Sequence, residues 1–409
     1  MKKRLVLLMA LCFVATTSWA QGVKVGILMD FSGPLASLSP SIEAGAELAV
    51  DQANKAGGLF GKKIETVQRD TRANEQVALD AASKLVEVDR VPAIVGALAS
   101  GATTAASSVT IPNQVVMISP ASTSPALTTL KDNDYFFRTC PSDALQGKVQ
   151  GTLARNMAYK TAGIIYVNNP YGKGLAENFK AAFEKAGGKV TEMVAYDQEK
   201  PSYRGEVQKA IGGNPDVLNV IAYPADGNKQ LVSAIEQGYK GDFIFADGMK
   251  ADSVATGPAG DQINGTMGTA PGSLDTPAGQ RFEQDYRDFA KRTGKKVDVT
   301  APYRKEAYDA MSTILLAIRA VGPHFLKMAP KEQGKAIRDH IRRVTGPKGV
   351  QVGYNNFKKA FSMIGKGQQV NYQGVSGPLT FDRHGDIEEA AFDLWSFHKG
   401  KVATIWTVQ

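Results

Sequence analysis

The chain has 409 residues, 48 Lys and Arg against 40 Asp and Glu, a formal charge of +8, and an ordinary apolar content of 43%. That length suggests two or three domains at about 100–200 residues each and is ample for a sizeable core. The basic charge is mild and scattered, with no basic block interleaved with aromatics, which argues against a nucleic-acid partner.

The first twenty residues read as a separate object. Lys2, Lys3 and Arg4 precede an apolar run from Leu5 to Val14, and Ser18-Trp19-Ala20 offers small residues where a signal peptidase reads. The pattern predicts a secretory signal cleaved after Ala20. A membrane anchor is the other reading, but the run is short for a span. Cys12 raises lipidation, although Leu11 before it is a poor lipobox residue. No later apolar stretch is long enough to cross a bilayer, so the mature chain is expected to be soluble in the periplasm. Losing the three leader cations takes the charge from +8 to +5 and leaves Cys140 as the only cysteine, so no intramolecular disulfide can form.

Beyond the leader, short apolar runs alternate with helical patterns. "VKVGILM" reads as a strand and "SIEAGAELAVDQANKAGG" as a helix, closed by a left-handed cap at Gly57 or Gly58. "KIETVQRD", "PAIVGAL" and "VVMIS" are strands, separated by the helices "EQVALDAASKLVEVD" and "GATTAASSVTI". This βαβ repetition implies a parallel sheet with helices on its faces. The pattern then restarts with strand "TAGIIYV", helix "GLAENFKAAFEKAGG" and strand "KVTEMVAYD". A helix over Ser202–Ile211, strand "DVLNVIAY", helix "NKQLVSAIEQG" and strand "DFIFAD" follow. Two similar α/β lobes are therefore expected. From Thr276 three helical segments appear, and the tail after Gly377 looks like antiparallel strands with turns at "RHGD" and "KGK".

Enzyme signatures are missing. His324, His340, His384 and His398 lack metal-ligand spacing. HExxH, CxxC and GxSxG do not occur, no Walker A lysine is followed by Ser or Thr, and "YGKGLAENF" has Glu177 where a dinucleotide loop needs its third glycine. Plentiful Asp and Glu leave a carboxylate pair as the one enzymatic chemistry still open. The expectation is a non-enzyme with no metal and no cofactor.

Ligands of open α/β sheets bind at the carboxyl ends of the strands. After "PAIVGAL" come Ala99, Ser100 and Gly101 at a helix start, whose free N–H groups and positive dipole end suit a carboxylate. A plain serine N-cap reads equally from Ser100. After "VVMIS" comes "PASTSPALT", where Thr123 can donate and accept and the carbonyls of Ala121 or Ser122 can accept. That mix suits a zwitterion, and a simple polar turn is the competing reading. In the second lobe Tyr171, Tyr223 and Asp247 follow strands. Asp247 could pair with an ammonium or could cap a turn. Leu38 sits on the loop after the first strand.

Taken together, "VGILMDFSGPLA", "AGAELAVDQANKAGGLFGKKIE", "ISPASTSPALT", "YGKGLAENF" and "GPLTFDRHGDI" resemble the periplasmic leucine/isoleucine/valine-binding proteins, over essentially the whole mature chain. The resemblance implies the type I periplasmic binding fold, in which two Rossmann-like lobes with parallel sheets are joined by a three-segment hinge. The lobes are expected at 21–139 with 272–346, and at 140–271 with 347–409, after a 1–20 signal peptide. It further implies that Ser100 takes a ligand carboxylate, Ala121 and Thr123 hold the amino acid, Tyr171 and Tyr223 close over it, and Asp247 meets the ammonium. In the family that acid is commonly glutamate. Leu38 replaces an aromatic, and Tyr303 falls near another aromatic pocket position. A disulfide of some members is absent, with Arg72 and Ala99 at roughly those positions. The implied role is a receptor for an ATP-binding-cassette importer, working with an inner-membrane permease as a monomer and binding an amino acid. A receptor for an aromatic acid or amide, or a sensory subunit, is the alternative.

Overall fold

The computed structural model describes residues 22–409, so the leader and its cleavage site lie outside the described residues. The first sheet is built from β1 (Val23–Met29), α1 (Ser39–Lys55), β2 (Ile64–Asp70), α2 (Glu75–Ser83), β3 (Ala93–Gly96), α3 (Ser100–Thr110), β4 (Val116–Ser119) and β5 (Phe136–Arg138). Its five strands run parallel in the order β2-β1-β3-β4-β5. Strands β3, β4 and β5 are buried along their length, as expected where helices cover both faces.

The chain then crosses to a second sheet. α4 (Asp143–Asn156), β6 (Thr161–Val167), α5 (Pro170–Lys185), β7 (Lys189–Tyr196), α6 (Arg204–Ala210), β8 (Val217–Ile221), α7 (Pro224–Glu236), β9 (Asp242–Phe245), α8 (Asp252–Ala255) and β10 (Met267–Gly272) follow. It returns for α9 (Pro277–Thr293), α10 (Arg304–Val321) and α11 (Pro330–Thr345), which are followed by β11 (Val350–Val352), α12 (Phe357–Gly365) and β12 (Val370–Tyr372). Finally β13 (Ala391–His398) and β14 (Lys401–Val408) complete a seven-stranded sheet in the order β14-β13-β10-β9-β8-β6-β7. Strands β6 to β10 pair in parallel, and β13 and β14 add an antiparallel edge. The tight turn expected at "KGK" is the link between β13 and β14.

α10 packs across α1, where a methyl group on Gly45 would sit 2.1 Å from the Arg304 carbonyl. The small residue lets the two backbones touch. One expectation needs correction. The segment from Pro347 is expected with the second lobe, but β12 packs on α11 and α12 on α10 and α1, with β11 paired to β12, so this part sits with the first sheet. The last crossing runs between β12 and β13. Among the described residues no helix is long and apolar enough to cross a membrane, and no group of three or more His, Cys, Asp or Glu could hold a metal.

The strand orders place the site. Each sheet reverses its winding at one point, between β1 and β3 in the first lobe and between β6 and β8 in the second. Crevices at such switch points are where α/β sheets bind ligands, and here the two crevices face each other.

Candidate functional site

On the first lobe, Ser100 opens α3, its hydroxyl oxygen accepting the Ser124 N–H at 3.2 Å. Its own hydroxyl proton remains available to a ligand. Just before it, the Ala99 N–H donates to Asp30 Oδ2 at 3.2 Å. Asp30 follows β1 and also accepts from the Thr71 hydroxyl and the Ala73 N–H. Burial pushes its pKa up to about 6, against those hydrogen bonds. Ala121 is half-buried and its N–H is held by Ser119 Oγ.

Ser122 departs from expectation. Its hydroxyl is turned into the sheet, onto the carbonyls of Ala97 and Leu98 and beside Thr103 Oγ1 at 2.6 Å. Its own carbonyl accepts from Arg138. Every polar group of the side chain is therefore spent on structure, and alternation along the extended loop leaves Thr123 to face the cleft.

Thr123 donates to Asp143 Oδ2 at 2.9 Å, and its carbonyl accepts the Asp143 N–H at 2.8 Å. Asp143 is the first residue of α4, capped by Ser142, and is fully buried. Its Oδ1 has no hydrogen-bond partner. Burial first, and then the charge of Asp247, drive its pKa well above the ordinary carboxylate range.

On the second lobe, Asn169 caps α5 with its side chain and donates to the Tyr223 hydroxyl at 3.0 Å. Tyr171 and Tyr223 stack with ring centroids 5.6 Å apart. Asp247 gathers three donors: Tyr171 OH at 2.9 Å and Gln146 Nε2 at 3.0 Å to Oδ1, and Tyr303 OH at 2.6 Å to Oδ2. Burial raises its pKa, and those three hydrogen bonds hold the rise in check. Tyr303 sits just before α10 with φ 67°, in the left-handed region. That conformation costs a non-glycine residue about 1–2 kcal/mol and aims the phenol at Asp247.

Tyr171, Tyr223, Asp247 and Tyr303 thus form one cluster, and Thr123 joins it through Asp143. Leu38 is buried at the start of α1, where it can only be a wall. Asp143 and Gln146 escaped the sequence reading. "PSDALQG" carries an ordinary capping pattern, serine followed by an acid in the first turn, and nothing local marks that acid as facing another.

The lobes meet around this cluster. Ser124 Oγ donates to the Pro170 carbonyl at 2.9 Å, the Ala225 N–H reaches the Pro34 carbonyl at 3.4 Å, Ser253 and Ser37 hydroxyls lie 3.1 Å apart, and Arg72 and Glu199 pair at 3.5 Å. The cleft is closed. Asp143 and Asp247 are buried in it, and the Arg138 guanidinium, whose charge acts on Asp143, is already engaged by Asp386. An unpaired buried carboxylate is costly, so the arrangement calls for a positive charge from outside the chain, or for a proton.

A family profile described as periplasmic binding protein matches residues 22–353. The chain is 27% identical over 365 residues to the chemotactic signal transduction system substrate-binding protein BasB of Halobacterium salinarum, covering 87% of this chain and 83% of that one. It is 26% identical over 396 residues to the leucine-, isoleucine-, valine-, threonine- and alanine-binding protein of Pseudomonas aeruginosa, covering 96% and 94%. The structure of a leucine-binding protein LivK from Thermotoga maritima superposes with a TM-score of 0.76 at 21% identity, over 95% of this chain and 99% of that one, a likeness of fold.

Proposed function

Since the chain belongs to the periplasmic binding protein family, a family of solute-binding proteins rather than enzymes, we propose that it is the extracytoplasmic receptor of an ATP-binding-cassette importer and binds an amino acid between its lobes. The observation that carries the ligand class is the pair Asp143 and Asp247, both buried in the closed cleft, with Asp143 Oδ1 lacking a donor. An ammonium set between them supplies the missing charge and donors. A plain carboxylic acid or a neutral amide would leave the carboxylates uncompensated.

In this reading Ser100 and the first N–H groups of α3 take the ligand carboxylate. The Ala121 carbonyl, Asp143 and Asp247 take the ammonium, with Thr123 between them. Tyr171 and Tyr223 cover it, while Leu38 and Tyr303 bound the side-chain pocket. The amino-acid-binding relative from Pseudomonas aeruginosa supports the class. A sensory role is the second reading, because BasB belongs to a chemotactic system. Permease and ATPase genes beside this one would favour import.

Titration calorimetry of the mature protein with L-leucine, L-threonine, benzoate and acetamide tests the ligand class. Binding of an amino acid, lost in Asp247→Ala, is expected. Benzoate or acetamide binding with no amino acid binding would overturn it.

A further inference from the structure

We propose that Arg138, locked by Asp386, is a positioning residue for ligand recognition: it holds the Ala121–Ser124 loop in its binding shape and ties that loop to two of the three chain crossings about which the lobes close. The inference deepens the proposed ligand site and rests on that reading.

Arg138 ends β5, and its side chain is wholly buried. Its guanidinium uses all three nitrogens. Nε donates to Asp386 Oδ1 and Nη2 to Asp386 Oδ2, both at 2.6 Å, a bidentate pair of the kind that fixes orientation as well as charge. Nη1 donates to the carbonyls of Ser122 and Ser124, at 3.2 and 2.9 Å. Those residues flank Thr123, so drawing their carbonyls away from the cleft sets how Thr123 presents its hydroxyl and its carbonyl to Asp143. Nη2 also donates to Thr128 Oγ1, which itself donates to Asp386 Oδ2 at 2.7 Å and closes the ring at the far end of the loop.

The same pair anchors the crossings. Arg138 immediately precedes the first, Thr139–Ser142, which delivers Asp143 to the head of α4. Asp386 lies on the last, in a turn that docks against β5 through the Arg138 N–H to the Gly385 carbonyl at 2.9 Å. That docking needs glycine: Gly385 has φ 77°, and a Cβ there would lie 2.4 Å from the Phe136 carbonyl. A loop wall, two crossings and a site carboxylate therefore share one guanidinium. A lysine could keep the charge at 138 but could not span Asp386 and two carbonyls together.

Hydrogen exchange of the ligand-free full-length mature protein tests the loop claim without any ligand. In Arg138→Lys and Asp386→Asn the amides of Ala121–Ser124 are expected to exchange faster, while those of β1 and β3 keep their protection. Arg69→Lys, which breaks the Arg69–Asp89 pair away from the loop, should leave loop exchange as in the wild type. Titration with L-leucine, with Asp247→Ala alongside, tests the recognition claim. Both Arg138 and Asp386 variants are expected to lose roughly tenfold in affinity, within the usual range for coupled sites, and Arg69→Lys none. Unchanged loop exchange in both variants overturns the proposal whatever leucine does, and so does faster exchange with undiminished leucine affinity. A wild-type protein that ignores leucine counts against the proposed ligand, and the exchange result then decides the positioning role by itself.

Discussion

In the proposed site, Asp143 is the group that sets what charge the closed cleft accepts. Its carboxylate is buried with one oxygen served by Thr123 and the other by nothing, and Asp247 opposes its ionisation. Asparagine at this position is nearly isosteric, keeps an acceptor for Thr123, and removes the charge. Removing one member of a buried charge pair costs roughly 2–5 kcal/mol. Asp143→Asn is therefore expected to weaken amino-acid binding by about 30-fold or more, while making the empty closed state easier to reach. Calorimetry measures the first effect and the fraction closed, read by a fluorophore pair across the cleft, measures the second. Equal affinity in the variant would remove Asp143 from the site. The gain of closure with the loss of binding is the trade expected where a site is built from strained groups.

At the scale of elements, α4 is the rod that carries Asp143 and Gln146 into the cleft, and its position is set by how closely it lies on α5. The contact is made through Gly147 and Gly151, one turn apart. A Cβ at Gly151 would meet Ala182 Cβ at 2.8 Å and the Phe179 carbonyl and Phe183 N–H at 2.9 Å. Alanine favours an isolated helix by about 1 kcal/mol over glycine. Here the obstacles include backbone, which cannot turn aside, so overpacking of about 1–3 kcal/mol wins. Gly151→Ala is expected to lower stability to urea and weaken ligand binding as α4 shifts; a variant as stable as the parent would show that the helices separate freely. The spacing "GKVQG" lies in plain view in the sequence, yet only the partner helix gives it meaning. The β/α alternation was legible because each buried parallel strand is a continuous apolar run bounded by turn residues. The lobe to which 350–372 belongs was not, since three-residue strands and an amphipathic helix pack equally well on either body. Ser100, Thr123 and Tyr171 stood at strand ends where topology looks for ligands. Asp143, Arg138 and Asp386 were hidden because their partners are remote in sequence, and an arginine after a short strand looks like any exposed basic residue.

The whole molecule turns these local charges into a condition on closure. The rim contacts that join the lobes are mostly polar: Pro34 with Ala225, Ser37 with Ser253, Ser124 with Pro170, Ala73 with Gln198, Asp298 with Asp252, and a half-exposed Arg72–Glu199 pair. Exposed pairs of that kind contribute about 0–1 kcal/mol, too little to bury two carboxylates unaided. Opening rehydrates Asp143 and relieves the rise in its pKa; closing restores that rise through burial and through Asp247. The closed empty form therefore binds a proton more tightly than the open one, and lowering the pH must favour closure. Under the proposed ligand class, a bound ammonium replaces that proton as the counter-charge, so the liganded form closes without one. The groups around Asp143 that bear on this balance are Asp247, Arg138, the Thr123 hydroxyl, Tyr171, Tyr223 and Cys140; Arg138 is held by Asp386, burial pushes the phenols and the thiol up, and Asp30 and Glu306, which burial pushes up to about 6 and about 7, take up protons on closing in the same sense as the two aspartates. Small-angle scattering of the ligand-free protein is expected to give a radius of gyration that falls as the pH is lowered below neutral, towards the compact value held at every pH with amino acid bound. In Asp143→Asn that pH dependence should shrink, with the empty protein already nearer the compact value at neutral pH. A ligand-free radius that stays constant with pH in the wild type would mean that closure is not governed by these carboxylates, and the zwitterion argument would lose its energetic basis with it.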